Sequence, residues 1–411
     1  MSRSALEGYR VIDLTQYGVG PTATGLLAQW GAEVIHLESL RGDIMRGHQV
    51  RGGGGSKENV FSCWWQQPNM NKKSLTLDLD QKEGREVLHK LVATSDVFAA
   101  NLRPYELEKF ELQYETLKRI NPKIIYAIFN GYGMHGPDKD KPGYDTPTFF
   151  ARSGLMHLMS ASDGVPVWPR AGIGDIPTGM YYACGIVVAL LARERFGIGQ
   201  EVYVSLFASG VWSLPIDIGE ALAFHKDGEK VRRETTLNPI SNSYKTKDGR
   251  WIIMYGQSDR YWKPFCQTIE RPELENDPRF DSSLNRSKNN VALIHILDEV
   301  FAGKTFEEWK RRLAKSRLVW EPVQKPTEVG EDPQARANGF FESFDFPGLG
   351  TYELIKPPQR FSETPPTFRT PAPELGQHNE ELLLELGYSQ GDINRLIEKK
   401  VITQPMSSPS R

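Results

Sequence analysis

The 411-residue sequence is poor in cysteine: Cys63, Cys184 and Cys266 are the only three, and they lie far apart. An odd, sparse set speaks against a disulfide framework and for a reducing compartment. Long hydrophobic runs are also missing. The longest, residues 186–192, is far short of a membrane span. Residues 1–8 (M-S-R-S-A-L-E-G) hold no apolar segment of the kind a secretory signal needs. No charge of one sign dominates, since 50 Lys and Arg face 52 Asp and Glu for a net charge of −2. No global footprint for nucleic acid or for an anionic membrane follows, and an anionic ligand would need a local cationic cluster. The eight histidines show neither H-x-x-x-H nor H-E-x-x-H spacing and no pairing with cysteine, which speaks against a zinc site. A Walker lysine motif, a G-x-S-x-G elbow and a kinase motif set are all lacking. The expectation is a soluble, cytoplasmic, multidomain protein.

What is plentiful is glycine, 37 residues, and proline, 27, which predicts many turns and long shaped loops. The first 130 residues alternate strand and helix patterns. Strands are predicted at 10–14, 32–38, 96–102 and 123–130, and helices at 21–30, 81–95 and 107–120. Repeated βαβ units imply an α/β fold, a mostly parallel sheet with helices on both faces. An apolar helix is expected at 178–195 and a further strand at 201–206. After about residue 225 the texture changes to a hairpin at 244–255 around Lys247-Asp248-Gly249, with helices at 261–269 and 291–313. The expected organisation is therefore a large Rossmann-like domain from 1–224, a small α+β domain from 225–327, and a segment from 328–411 returning to the large domain. That last segment ends in helices at 379–386 and 389–399, the first stopped by Gly387 and the second capped by Ser389. Residues 51–56 (R-G-G-G-G-S) read as a flexible loop and 404–411 as a frayed tail.

Three features could carry chemistry. Gly18-Val19-Gly20-Pro21-Thr22-Ala23 fits G-x-G-x-x-A, and Glu38 follows Gly18 by 20 residues, as in a dinucleotide fingerprint with its ribose acid. Yet Thr15, Gln16 and Tyr17 separate the glycine from its strand, and Pro21 removes an amide that would face a pyrophosphate. A tight glycine turn into a packed helix explains the same residues. Second, basic side chains follow the strands: Arg41, Arg46, Lys72, Lys73, Arg103, Lys139 and Lys141, with Asn101 beside them. Open α/β sheets bind ligands at those strand ends, and a multiply phosphorylated nucleotide would need such a collar, although each residue could equally be a solvated charge. Third, Ala171-Gly-Ile-Gly-Asp-Ile-Pro-Thr-Gly-Met180 sets a carboxylate between glycines at a helix start. Asp175 reads as a helix N-cap, or as a carboxylate that backbone amides keep ionised for covalent acyl chemistry. Tyr144-Asp145 and the aromatics Trp64, Trp65, Phe149, Phe150, Trp168 and Tyr182 could line an acyl pocket or fill the core.

Taken in order, the segments L-E-G-Y-R-V-I-D-L-T, G-P-T-A-T-G-L-L-A-Q-W-G-A-E-V-I-H-L-E, N-K-K-S-L-T-L-D-L, N-L-R-P, G-Y-G-M-H-G-P-D-K-D-K-P-G-Y-D, G-D-I-P-T-G-M, G-I-G-Q-E-V-Y-V-S-L, D-P-Q-A-R-A and L-G-Q-H-N-E-E-L-L-L-E-L-G-Y resemble the family III CoA-transferases over nearly the whole chain. That group includes formyl-CoA, carnitine and phenyllactate CoA-transferases and the related α-methylacyl-CoA racemase. F-F-A-R-S-G-L is most similar to the branch acting on 2-hydroxyacyl and aryl acids. The resemblance implies a Rossmann-like large domain without NAD, a small inserted domain, and an interlocked homodimer. It places the family's catalytic aspartate on Asp175. It implies a CoA site drawn from Arg41, Lys72, Lys73, Asn101, Arg103, Lys139 and Lys141. The acyl pocket and oxyanion donors would come from Gly18, Val19, Tyr144, Asp145, Gly172 and Gly174.

The chain also departs from relatives within the group. Tyr144 stands where the racemase branch has histidine, so one half of an acid/base pair is missing. Gly18 replaces the glutamine of the formyl-CoA branch, and residues 254–260 lack that branch's small-domain tetraglycine. The implied activity is CoA transfer from an acyl-CoA thioester to a bulky, 2-hydroxy or aryl acid through an aspartyl-CoA thioester and mixed anhydrides. CoA would be the co-substrate, with no metal and no NAD. An acyl-CoA racemase or isomerase, a CoA-binding subunit of a hetero-oligomeric transferase, and an NAD-dependent dehydrogenase are the alternatives.

Overall fold

A computed structural model describes residues 3–47, 61–160, 164–228, 230, 232–256 and 258–404. The tetraglycine loop, His48, Gln257 and all of the expected tail beyond Gln404 lie outside the described residues. Contacts divide the chain into two units. One comprises residues 1–157, 166–227 and 339–411, and the other 158–165 and 228–338. The longer stretch of the second unit, 228–338, opens three residues after the expected start at 225 and runs past the expected end at 327, and residues 158–165 join it.

The first unit is built on a parallel sheet. Its elements up to residue 227 are β1 (Arg10–Leu14), α1 (Val19–Gln29), β2 (Glu33–Glu38), α2 (Cys63–Asn69), β3 (Lys72–Thr76), α3 (Lys82–Ala93), β4 (Val97–Ala100), α4 (Pro104–Lys109), α5 (Tyr114–Ile120), β5 (Ile125–Asn130), α6 (Leu155–Leu158), α7 (Asp175–Phe196), β6 (Gln200–Ser205), α8 (Leu206–Trp212) and α9 (Pro215–Phe224), and its last segment adds the hairpin of Phe341–Phe346 with Gly350–Ile355 and the helices Asn379–Glu385 and Gln390–Glu398. The six strands run in the order β3-β2-β1-β4-β5-β6, and every pairing is parallel. Strands β1, β2, β4 and β5 are largely buried on both faces, so they read as near-continuous apolar runs such as Ile125-Tyr-Ala-Ile-Phe-Asn130, whereas the edge strand β6 exposes Glu201 and Tyr203. One core, with Val11, Leu27, Ala127 and Ile186, lies between the sheet and α1 and α7. The other, with Ile12, Leu88, Leu117 and Leu383, lies on the opposite face.

Two predicted helices are pairs. Residues 107–120 hold α4 and α5, separated where Glu111 turns left-handed at φ +60° and Leu112 enters the core. Residues 291–313 hold Asn290–Ala302 and Phe306–Leu313. Thr305 and Glu308 form a capping box that starts the second.

The strand order reverses direction between β1 and β4. In an open parallel sheet a crevice opens there, outside the carboxyl ends of the strands. Gln16 after β1, Asn101 after β4 and Gly131 after β5 all border it. α7, with 22 residues, is long and apolar enough to cross a membrane by length and composition alone. It is instead seated on the sheet. Gly179 lets it approach α1 closely: a Cβ there would stand 2.9 Å from both Val19 O and Thr22 Cβ.

The second unit has its own core, with Tyr244, Phe265, Phe301 and Trp309 fully buried. Its three-stranded antiparallel sheet contains the predicted hairpin, Ser243–Lys245 paired with Trp251–Tyr255, and the strand Val319–Pro322.

Candidate active site

The crevice at the switch point is a cleft of about 740 Å³ with Asp175 on its wall. Two helix starts meet at this carboxylate. Asp175 is the first residue of α7, and Gly174, not Asp175, holds the cap position. Across from it, α1 begins at Gly18. A Cβ on Gly18 would stand 2.5 Å from Asp175 Oδ2, so only glycine fits. Gly20 is pressed in the same way onto Thr15. The glycine pattern therefore serves close packing of a turn against a carboxylate. The other half of the dinucleotide fingerprint is spent as well. Glu38 meets Arg46 through two bonds of 2.6 and 2.7 Å and accepts from Ser74 Oγ, leaving no oxygen for a ribose.

The carboxylate held by backbone amides is Asp145, not Asp175. Its Oδ2 accepts from Gly172 N at 2.6 Å and its Oδ1 from Gly174 N at 3.0 Å. Asp145 begins a π-helical stretch, Asp145–Arg152, and only 7% of it is exposed. The bonds fold the loop before α7, and the ring of Phe149 packs against Gly174. Gly172 and Gly174 are thus occupied and cannot serve as oxyanion donors, contrary to the expectation from the sequence.

This arrangement also reverses the expected electrostatics of Asp175. Burial pushes its carboxyl up, the neighbouring Asp145 charge adds to this, and the result is about 7. The starts of α1 and α7 pull the other way by about 0.3–1 kcal/mol each. One pKa unit is worth about 1.4 kcal/mol, so they temper the rise without cancelling it. Burial raises the Asp145 carboxyl too, with the two amides opposing. A carboxyl that ionises near neutrality on the wall of a cleft is suited to acting as a nucleophile.

The basic collar is smaller than expected. Arg103 and Lys141 line the cleft with Asp175, and Asn101 spans to the β1 loop by bonding both N and O of Gln16. Arg41 lines an adjoining cleft that shares Gln16, Leu102 and Glu106 with the first. Lys139 is exposed outside both. Lys72 and Lys73 face inward or sideways on β3. Lys72 is 3% exposed, its ammonium held by Asp13, Thr24 and Asn69 at 2.8–2.9 Å. Lys73 pairs with Glu33 and Glu381 at 2.7 Å. Neither reaches the cleft. Of the aromatic candidates, Trp64 and Trp168 line it, whereas Trp65, Phe149, Phe150 and Tyr182 are core.

Sequence reasoning missed Tyr17. It is left-handed at φ +68° and its ring meets Tyr144 edge-on at 5.6 Å, forming a rim of the cleft. The excess of residues between β1 and the glycine turn was the available signal. Among the described residues no cluster of three or more His, Cys, Asp or Glu could hold a metal.

A parallel α/β sheet with a carboxylate beside a glycine turn at the switch point is an arrangement suited to acyl transfer on a dinucleotide-type sheet. The family model for CoA-transferase family III matches residues 6–379, and the chain belongs to that family. It is 34% identical over 400 residues to (R)-2-hydroxy-4-methylpentanoate CoA-transferase of Clostridioides difficile, covering 97% of this chain and 99% of that protein. It is 31% identical over 399 residues to cinnamoyl-CoA:phenyllactate CoA-transferase of Clostridium sporogenes, with 96% of each covered. A CAIB/BAIF family protein from Brucella suis superposes with a TM-score of 0.82 at 29% identity, covering 94% of this chain and 100% of that one.

Proposed function

We propose that this family III CoA-transferase moves CoA from an acyl-CoA thioester to a free carboxylic acid through covalent adducts on Asp175. The observation that carries the reading is a half-buried carboxyl, ionising near 7, on the wall of the cleft that also holds Arg103 and Lys141.

An Asp175 oxygen attacks the thioester carbonyl, the C–S bond breaks, and the CoA thiolate leaves a mixed anhydride. The thiolate attacks the aspartyl carbonyl and expels the donor carboxylate, giving an aspartyl-CoA thioester. The acceptor carboxylate attacks that thioester and releases the thiolate with formation of a second anhydride. The thiolate then takes the acceptor's acyl group and frees Asp175. Activated bonds are exchanged at every step, so no external energy source is needed. Because Asp145 occupies the Gly172 and Gly174 amides, Val19 in the first turn of α1 supplies the oxyanion donor, its N–H lacking an intrahelical partner.

The acceptor class is a bulky, 2-hydroxy or aryl acid, which the two named relatives support. The assembly is a homodimer. Trp212, Ile216, Leu222 and Phe224 on α8 and α9 are each at least 70% exposed, an apolar face suited to a second copy. Three free cysteines suit a cytoplasmic setting. Trapping with hydroxylamine during turnover, followed by mass spectrometry, tests the mechanism. A hydroxamate on the Asp175 peptide is expected, and an unmodified peptide under steady turnover would sink it.

A further inference from the structure

A second cavity, of about 280 Å³, lies beyond the Tyr17-Gly18 turn and Trp64, which it shares with the catalytic cleft. Its walls come from three helix faces and from residues 355–358. α1 contributes Thr22, Leu26 and Gln29 at helical spacing, α7 contributes Ile176 and Met180, and α2 contributes Cys63. Gly18, which packs against Asp175 Oδ2, also lines the cavity, so one end of it adjoins the catalytic carboxyl. Gln29 lies seven residues along α1 from Thr22, about 10 Å down the helix axis, and so marks the far end.

The lining is mostly apolar, and two of its polar side chains are already engaged, Gln67 with the Ile355 backbone and Lys356 with Glu342. Gln29 is 5% exposed and its Oε1 has no partner. An unpartnered buried carbonyl costs about 1–3 kcal/mol unless something donates to it. A cavity of about 150 Å³ lined by Leu, Ile and Phe takes up benzene, and this one is nearly twice that size.

We propose that this cavity is the acyl chamber. It takes the body of an aryl or branched acid whose carboxyl reaches Asp175, and Gln29 accepts a hydrogen bond from a hydroxyl at the far end of that body. This rests on the transferase reading above and adds to it the place and chemistry of acyl selection.

Two variants and two readouts test it. Cys63 is exposed on the chamber wall, and Cys63→Trp fills the space. With propionyl-CoA as donor, the kcat/KM ratio of 3-phenylpropanoate over acetate is expected to fall by about tenfold or more. Gln29→Leu is expected to lower the ratio of 3-(4-hydroxyphenyl)propanoate over 3-phenylpropanoate by roughly fivefold. Calorimetric binding of the neutral primary amides of the same acids, without CoA, is expected to weaken in parallel. Unchanged ratios in a turning-over enzyme overturn the chamber and leave the transferase standing. Binding that follows both substitutions in an enzyme that transfers no CoA to any acid upholds the chamber and overturns the transferase. An unchanged hydroxyl preference in Gln29→Leu overturns the role given to Gln29.

Discussion

Lys72 Nζ lies 2.9 Å from Asp13 Oδ2, and both side chains are wholly inside the protein. Burial pushes the Asp13 carboxyl up, but the Lys72 ammonium, with His36 and Thr15, overcomes this and holds it well below the usual range. Asp13 also accepts from Thr15 and Thr24, and Thr15 is the surface on which Gly20 packs. The pair therefore supports the turn that meets Asp175. Removing one member of a buried pair strands the other charge. Lys72→Ala is expected to lose about 3–5 kcal/mol in urea unfolding. A lysine on a ligand phosphate would instead raise KM for the acyl-CoA and leave stability unchanged.

Asp175 sets a pH dependence with a defined sign. Its attack requires the ionised form, so kcat/KM should rise through pH about 7 and level off above it. Stability runs the other way. A carboxyl raised from 3.8 to about 7 binds its proton more tightly in the folded state. Its contribution is complete below about pH 4 and is lost as pH rises through 7. Asp175→Asn should therefore abolish transfer, by at least about 10³-fold. It should also unfold later than the parent above pH 8, by about 1–3 kcal/mol, with the gap closing in acid.

Asp145→Asn separates charge from scaffold. The amide removes the negative charge beside Asp175, so the midpoint of the kcat/KM profile should move toward acid. An Asn side chain has one carbonyl oxygen for the two amides of Gly172 and Gly174, so kcat should fall as well, by about tenfold to a hundredfold. A profile with an unmoved midpoint would show that burial alone sets the Asp175 ionisation.

Gly18→Ala tests the fit of the turn. The added methyl would need the space of Asp175 Oδ2, and displacing a reacting group by about 1 Å costs on the order of 10²-fold. The loss should appear in kcat, with the unfolding midpoint close to that of the parent.

The parallel sheet was readable because largely buried strands are apolar runs bounded by loops, and five of its six strands stand close to where the periodicity places them, whereas β3, which opens on Lys72 and Lys73, carries no such pattern. The break between Ala302 and Phe306 had a readable signal in Thr305-x-x-Glu308, whereas the Glu111 turn had none. Asp175 was readable as a carboxylate between glycines, but its environment was not. Which of two aspartates receives the loop amides depends on a contact between residues 145 and 172–174, and no local pattern encodes it. The alternation along β3 separates its two lysines. Successive strand residues face opposite sides, so Lys72 and Lys73 could never have gripped one ligand together.

The meeting of Asp175 with the glycine turn has a kinetic consequence. In dinucleotide-binding sheets the helix start after the first strand receives a phosphate. Here the protein brings its own anion to that point. A phosphate is repelled from it, while an uncharged thioester carbonyl can approach. A free acid is repelled as well, until Asp175 itself becomes a neutral thioester. Under the proposed chemistry the carboxylate thus acts as a turnstile: it admits donor first and acceptor second, and this enforces ping-pong order without a moving part.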